Sequence, residues 1–111
     1  MYICTIKIDY ANLTARQVLQ NYSDTIAEER ATELGLLMKY RVNINKETGM
    51  VVLIYKDKNA YDSDYNIQLK DLTEMLTLQG NWVHLNHGTV EKFSFNKAML
   101  EVKIFDKEGG S

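Results

Sequence analysis

His84 and His87 are the only histidines in the chain, and with Cys4 they are the first places to look for metal binding or attack on a substrate. The histidines stand three apart, as His84-Leu85-Asn86-His87. Two ligands on one side of a strand must be two residues apart, so a spacing of three sends this pair to opposite faces. The pair Asn86-His87 also lacks the further histidines that a nuclease metal finger would need. Cys4 lies between Ile3 and Ile6 and reads as a small buried hydrophobe; a single cysteine forms no disulfide within the chain. Asp62, Ser63, Asp64, Tyr65 and Asn66 open like a calcium loop, with oxygens at the first, third and fifth positions. The pattern then fails, because the sixth position holds Ile67 instead of Gly and the twelfth holds Thr73 instead of Glu. Capping of a helix by Ser63 or Asp64 explains these residues better. Glu29 and Glu33 share a helix side but read as a solvated face. There is no glycine-rich phosphate loop, nucleophile elbow or cysteine–histidine pairing. The sequence therefore assigns no catalytic residue, no metal ligand and no cofactor.

Binding chemistry is better represented. Seven tyrosines and one tryptophan are many amphipathic aromatics for 111 residues, and Tyr and Trp are enriched where proteins meet. Tyr61 and Tyr65 fall in an acidic polar stretch with Asp57, Asp62 and Asp64, and Trp82 opens a following hairpin. These six residues are the expected contact set for a protein partner. The reading that follows is a small non-enzymatic protein-binding module, such as a regulator or inhibitor of a host protein, or a homodimer. Heavy use of Asn, Lys, Ile and Tyr, with no proline, suggests AT-rich coding and a phage or low-GC bacterial source. The alternative is a single-stranded nucleic-acid binder, with Lys7, Lys39, Arg41 and Lys103 on an open sheet face and Tyr55 or Phe105 for stacking. A net charge of −2 gives no general attraction to nucleic acid or to an anionic membrane.

These residues must be positioned by a small set of elements. Met38–Asp57 is the clearest. Met38, Tyr40, Val42 and Ile44 alternate with Lys39, Arg41, Asn43 and Asn45, the pattern of a strand with one buried face and one wet face. Lys46, Glu47, Thr48 and Gly49 form a turn, with Gly49 suited to positive φ. Residues 50–56 are apolar almost throughout, as in a strand covered on both sides. Upstream, Tyr2–Tyr10 alternates as a first strand. Thr14 to Gln17 reads as a capping box with Leu13 and Val18 as a staple. It opens a helix running to Leu34 with Gly35 as its stop, and Ala15, Val18, Leu19, Tyr22 and Ile26 lie on its apolar stripe. Lys58–Tyr65 reads as a polar loop. A second helix follows over residues 66–79, ended by Gly80, although 66–69 also suits a strand with the helix starting at Asp71. Residues 81–85, 89–95 and 99–105 read as three short strands with tight connections at 86–88 and 96–98.

The order β-α-β-β-α-β predicts an α+β, ferredoxin-like sandwich with an extra C-terminal β-hairpin, the helices lying on one face of a mainly antiparallel sheet. Strand 1 and residues 50–56 would be central and 39–45 an edge. RNA-binding modules of the RRM type resemble this topology. Gly49 and Tyr55 match their pattern, but Met50 and Val52 occupy the stacking positions and Asp9 takes the place of an aromatic, so the resemblance is one of topology. One domain over residues 1–106, with a flexible tail at 107–111, fits the length, the 45% hydrophobic content and the 25% charged content. With neither a signal peptide nor a membrane span evident, the expected location is the cytoplasm, the host's if the protein is phage-encoded.

Overall fold

A computed structural model describes residues 1–96 and Ala98, and along residues 22–32 it describes the backbone. The chain runs β1 (Tyr2–Asp9), α1 (Leu13–Leu34), β2 (Leu36–Asn43), β3 (Thr48–Tyr55), α2 (Lys58–Asp64), a π-helical turn (Tyr65–Leu69), α3 (Lys70–Leu78) and β4 (Trp82–Thr89). The strands form one antiparallel sheet in the order β2-β3-β1-β4. This is the expected ferredoxin-like α+β architecture, with β1 and β3 central and β2 at an edge.

The register sorts the side chains. Tyr2, Cys4, Ile6 and Ile8 of β1 stand opposite Tyr55, Leu53, Val51 and Gly49 of β3, and most of these form the core beneath the helices with Leu19, Ala60, Tyr61, Leu69, Leu72 and Leu76. The alternate residues Ile3, Thr5, Lys7 and Asp9 face away, across from Ile54, Val52, Met50 and Thr48. Val52 and Ile54 are nevertheless buried, so β3 is covered on both faces, as its unbroken apolar run predicts.

Several local expectations are corrected. The N-cap of α1 is Asn12, whose side chain accepts from the Ala15 N–H at 2.9 Å, so Thr14 lies inside the helix. Leu13 and Val18 are exposed and form no staple, while Ala15 and Leu19 are buried. Gly35 does end the helix, with φ 80°, a left-handed conformation that glycine takes without steric cost. The expected loop at 58–65 is helical. Asp57 caps it by accepting from the Ala60 N–H at 2.8 Å, and the helical path then runs through the π turn to Leu78. Polar composition hid this helix because Ala60, Tyr61, Asp64, Gln68, Leu69, Leu72 and Leu76 supply its buried face, and two of the seven are polar.

The expected hairpin at 81–95 is also absent. β4 runs without a break through Asn86–Gly88, because β1 offers it an eight-residue partner from Tyr2↔Thr89 to Asp9↔Trp82. No strand is assigned from Val90 to Asn96, and the strand expected at 99–105 and the tail at 107–111 lie outside the described residues. Asn81 is buried and ties two connections together. Its side-chain oxygen accepts from the Ala11 N–H at 2.8 Å, and its amide donates to the Leu76 carbonyl at 2.9 Å. Among the described residues no helix is long and apolar enough to cross a membrane.

Candidate functional site

The space between the sheet and the helices has two chemically different ends. One is packed with polar and aromatic groups beneath α2. Tyr55, fully buried on β3, donates its hydroxyl proton to Asp64 at the end of α2, and Gln68 in the π turn donates its amide to the same carboxylate. Beside them Tyr2 and His87 Nδ1 are 2.6 Å apart. His87 stacks on Tyr61 with ring centroids 4.7 Å apart, and Tyr61 meets Tyr55 edge-on at 5.8 Å. Burial, with the Asp64 charge adding to it, pushes the Cys4 thiol up to about 12, so it is held protonated and poorly nucleophilic. Burial likewise raises the phenols of Tyr55 and Tyr61. Asp64 reinforces the shift at Tyr55.

The other end holds a cavity of about 260 Å³ between α1 and the β2–β3 hairpin. Tyr10 enters it from the end of β1, where its N–H is tied to the Glu47 carbonyl at 2.7 Å. Arg16 and Gln20 come from the first turns of α1, and Arg41 and Asn43 from the helix-facing side of β2. Each guanidinium is anchored to backbone: Arg41 Nη1 donates to the Gln20 carbonyl at 3.0 Å and Arg16 Nη1 to the Lys46 carbonyl at 3.4 Å. Burial raises the Tyr10 phenol above its ordinary value, with the charges of Arg16 and Arg41 pulling the other way. Gly49 forms part of the wall. It does not have the positive φ expected of a turn residue; Gly35 and Gly80 alone among the described residues do. A side chain on Gly49 would run into the Tyr10 hydroxyl, so close approach is what requires glycine here.

The structure disperses the two residue sets expected from sequence. Of the partner-contact set, Tyr61 and Asp64 are buried and Tyr65 is half-buried against Tyr61. Asp57 is a helix cap. Asp62 is half-buried and pairs with Lys58 at 2.9 Å, one helical turn away, and Trp82 is exposed on the helix-free face beside His84. Of the nucleic-acid set, only Lys7 lies on the helix-free face. Lys39 and Arg41 pair with Leu53 and Val51 and so face the helix side, Tyr55 is buried there, and Lys103 lies outside the described residues. The alternation of β2 was read in the wrong phase, because Tyr40 and Val42 occupy the helix-free side and the cations the other. No continuous basic sheet face exists among the described residues, which removes the basis for single-strand binding. His84 and His87 do lie on opposite faces, across from Lys7 and Cys4. Tyr10, Arg16, Gln20 and Gly49 were not singled out as site residues. Their only signal in sequence is the basic pair Arg16 and Arg41 in a mildly acidic chain.

Fold and cavity together define a small ferredoxin-like α+β protein with a chamber between sheet and helices. No protein-family model matches the chain, and no curated protein is a significant match. Solved structures do share the fold. A dimeric ferredoxin-like protein from an uncultured marine organism superposes with TM-score 0.63 at 15% identity, over 86% of this chain and 100% of that one. A candidate antibiotic biosynthesis monooxygenase from Deinococcus radiodurans gives TM-score 0.69 at 11% identity, over 86% and 97%. SnoaB, a cofactor-independent oxygenase from Streptomyces nogalater, gives 0.59 at 10% identity, over 83% and 95%. These neighbours overturn the expectation of a non-enzymatic protein-binding regulator or inhibitor. That expectation leaned on the missing catalytic motif, and the same fold occurs in proteins described as oxygenases.

Proposed function

We propose that the protein is an enzyme of the oxygenase type, acting on a small organic molecule held in the chamber between α1 and the β2–β3 hairpin. The observation that carries this reading is the cavity itself: a concave site with a few convergent polar groups, in a fold that SnoaB shares. In it the Tyr10 phenol, protonated at neutral pH, would offer a proton to a substrate oxygen, and Arg16 and Arg41 would offset negative charge as it develops. Gln20 and Asn43 would fix orientation. The test is oxygen uptake with a panel of phenols, quinols and enolisable ketones, with ¹⁸O₂ and mass spectrometry of the products. Label in a product, reduced at least tenfold in Tyr10→Phe, supports the reading. No uptake with any compound that demonstrably binds removes it.

The working unit in this reading is a homodimer joined through the helix-free face of the sheet. The centre of that face, at Val52 and Ile54, is covered, but its two edge strands leave Tyr40 46% and Trp82 64% exposed, and a neighbour of the same fold is described as dimeric. Exposed tyrosine and tryptophan are enriched where proteins meet. Sedimentation should give a dimer at tens of micromolar, and Tyr40→Asp should give a folded monomer. A monomeric wild type would exclude the dimer.

A further inference from the structure

We propose that Asp9 and Thr48, whose side chains lie on the far side of the sheet from the chamber, are positioning residues for the Tyr10 phenol. The inference rests on reading the chamber as the substrate site with Tyr10 as its proton donor, and it adds what holds that donor in place.

Four consecutive residues, Lys46 to Gly49, each hold a part of the chamber or of the strand beside it. The Lys46 carbonyl accepts from Arg16 Nη1 at 3.4 Å. The Glu47 carbonyl accepts from the Tyr10 N–H at 2.7 Å, which carries the β1–β3 ladder one residue beyond its last pair, Asp9↔Thr48. The Thr48 hydroxyl donates to Asp9 Oδ1 at 2.7 Å. Gly49, bare of a side chain, lets the Tyr10 hydroxyl lie against its backbone. Tyr10 and Gly49 are diagonal neighbours across the paired chains, a spacing that aromatic rings reach.

The Asp9–Thr48 bond is the clasp of this arrangement. Successive side chains of an extended chain point to opposite faces, so Asp9 and Tyr10 leave the same stretch of backbone in opposite directions. Fixing Asp9 on the helix-free face therefore fixes the backbone from which Tyr10 enters the chamber. Thr48 is held on two sides. It is 8% exposed, and its carbonyl accepts from the N–H groups of Ile44 and Asn45 at 3.1 and 3.2 Å, so its backbone is tied to the turn while its hydroxyl is tied to β1. A carboxylate acceptor makes that hydroxyl bond stronger than one between neutral groups. Without it the Tyr10–Glu47 bond becomes an unsupported last rung, and the end of a ladder frays first. A proton donor must sit within hydrogen-bond reach of the oxygen it serves, and a misplacement of about 1 Å can cost on the order of a hundredfold in rate.

The test reads Tyr10 itself, with no substrate or oxygen present. Full-length protein labelled with ¹⁵N and ¹³Cζ-tyrosine is titrated by NMR, Tyr10→Phe assigning the phenol signal, and exchange of the Tyr10 amide with deuterated solvent is followed in the same samples. Thr48→Val removes the hydroxyl and keeps a β-branched side chain suited to a strand. The Tyr10 phenol, held above its ordinary 10.0 by burial, should then titrate lower as water reaches it, and its amide should exchange about tenfold faster. Thr48→Ser, which keeps the hydroxyl, should restore both. Asp9→Ala should match Thr48→Val, and the double variant should do no more than either alone, because the two act through one bond. Thr5→Val is the control: Thr5 shares the strand and face of Asp9 but pairs with Val52 in mid-sheet, so Tyr10 should not change. Tyr10 signals unmoved by Thr48→Val, no rescue by Thr48→Ser, additive effects in the double variant, or an equal shift in Thr5→Val overturns the proposal. The two readings fail separately. A wild type that takes up no oxygen with any compound it binds removes the oxygenase reading, while the Tyr10 signals still decide this one. Oxygen uptake together with Tyr10 signals unmoved by Thr48→Val removes this one alone.

Discussion

The bond between Tyr55 and Asp64 gives the sharpest energetic test of the structure. Tyr55 is fully buried and Asp64 is 3% exposed, so a hydroxyl removed by Tyr55→Phe is not replaced by bulk water. The ring stays, the packing volume barely changes, and the buried carboxylate loses a donor. A buried acceptor deprived of its partner costs about 1–3 kcal/mol, and in a chain of this size each kcal/mol lowers the melting temperature by roughly 4 °C. A drop of about 4–12 °C is therefore expected. Tyr2→Phe is the internal control. It also removes a tyrosine hydroxyl from a hydrogen bond, here the 2.6 Å contact with His87, but His87 is exposed and water can replace the lost group, so the cost should be about 0.5–1 kcal/mol. Urea titration followed by tyrosine fluorescence and circular dichroism measures both. Asp64→Asn should reduce the penalty of Tyr55→Phe by about 1 kcal/mol, since the two residues touch and their effects are coupled. If Tyr55→Phe costs no more than Tyr2→Phe, burial does not govern this network and the account of the α2 end is wrong.

Other outcomes follow from single features. Gly35→Ala should destabilise by about 1–2 kcal/mol, because Gly35 sits at φ 80° and an added Cβ would press on the Lys56 side chain; an unchanged urea midpoint would contradict that backbone conformation. Asp57→Ala should cost about 1 kcal/mol through loss of the α2 cap, and Asp57→Ser should restore most of it. Cys4 should resist a thiol reagent at pH 8 in the native protein and react fully in urea, whereas rapid native labelling would place it at the surface. Folding stability should fall in alkali. An acid whose pKa is raised on folding keeps a proton that the unfolded chain gives up, so the stabilisation is complete below the thiol's ordinary 9.0 and is lost as pH rises toward about 12. Tyr10, Tyr55 and Tyr61, raised in the same sense, extend that loss to higher pH.

The parts of the fold that were legible from sequence are those governed by short-range rules. The continuous apolar run of β3 announced a doubly covered strand, and Gly35 and Gly80 marked helix ends because only a residue without Cβ takes positive φ at no cost. The candidate site was poorly legible. Arg41 was read as a wet-face cation because strand alternation gives the period of the side chains and leaves open which set faces the helices. At an edge strand that α1 only partly covers, both faces tolerate polar groups, so the hydrophobic pattern did not fix the phase. Tyr61 and Asp64 were read as surface contacts because a helix with a buried carboxylate on its inner face has the composition of a loop. The turn expected at Asn86–Gly88 was overruled by full-length pairing with β1.

By itself, the sequence determined the β-α-β-β-α-β order, the central and edge roles of β1, β3 and β2, and the chain's modest negative charge. Those follow from periodicity, glycine and composition, which act within a few residues. Only the tertiary structure decided which residues share a chamber. Tyr10, Arg16, Arg41 and Gly49 are separated by as many as thirty-odd positions along the chain and meet at one cavity, and Tyr2, Tyr55, Asp64 and His87 meet at the other end of the same layer. Their meeting is set by strand register and by the packing of helices on the sheet. A shift of one residue in β2 would turn Arg41 away from the chamber, and no local pattern in the sequence forbids that shift.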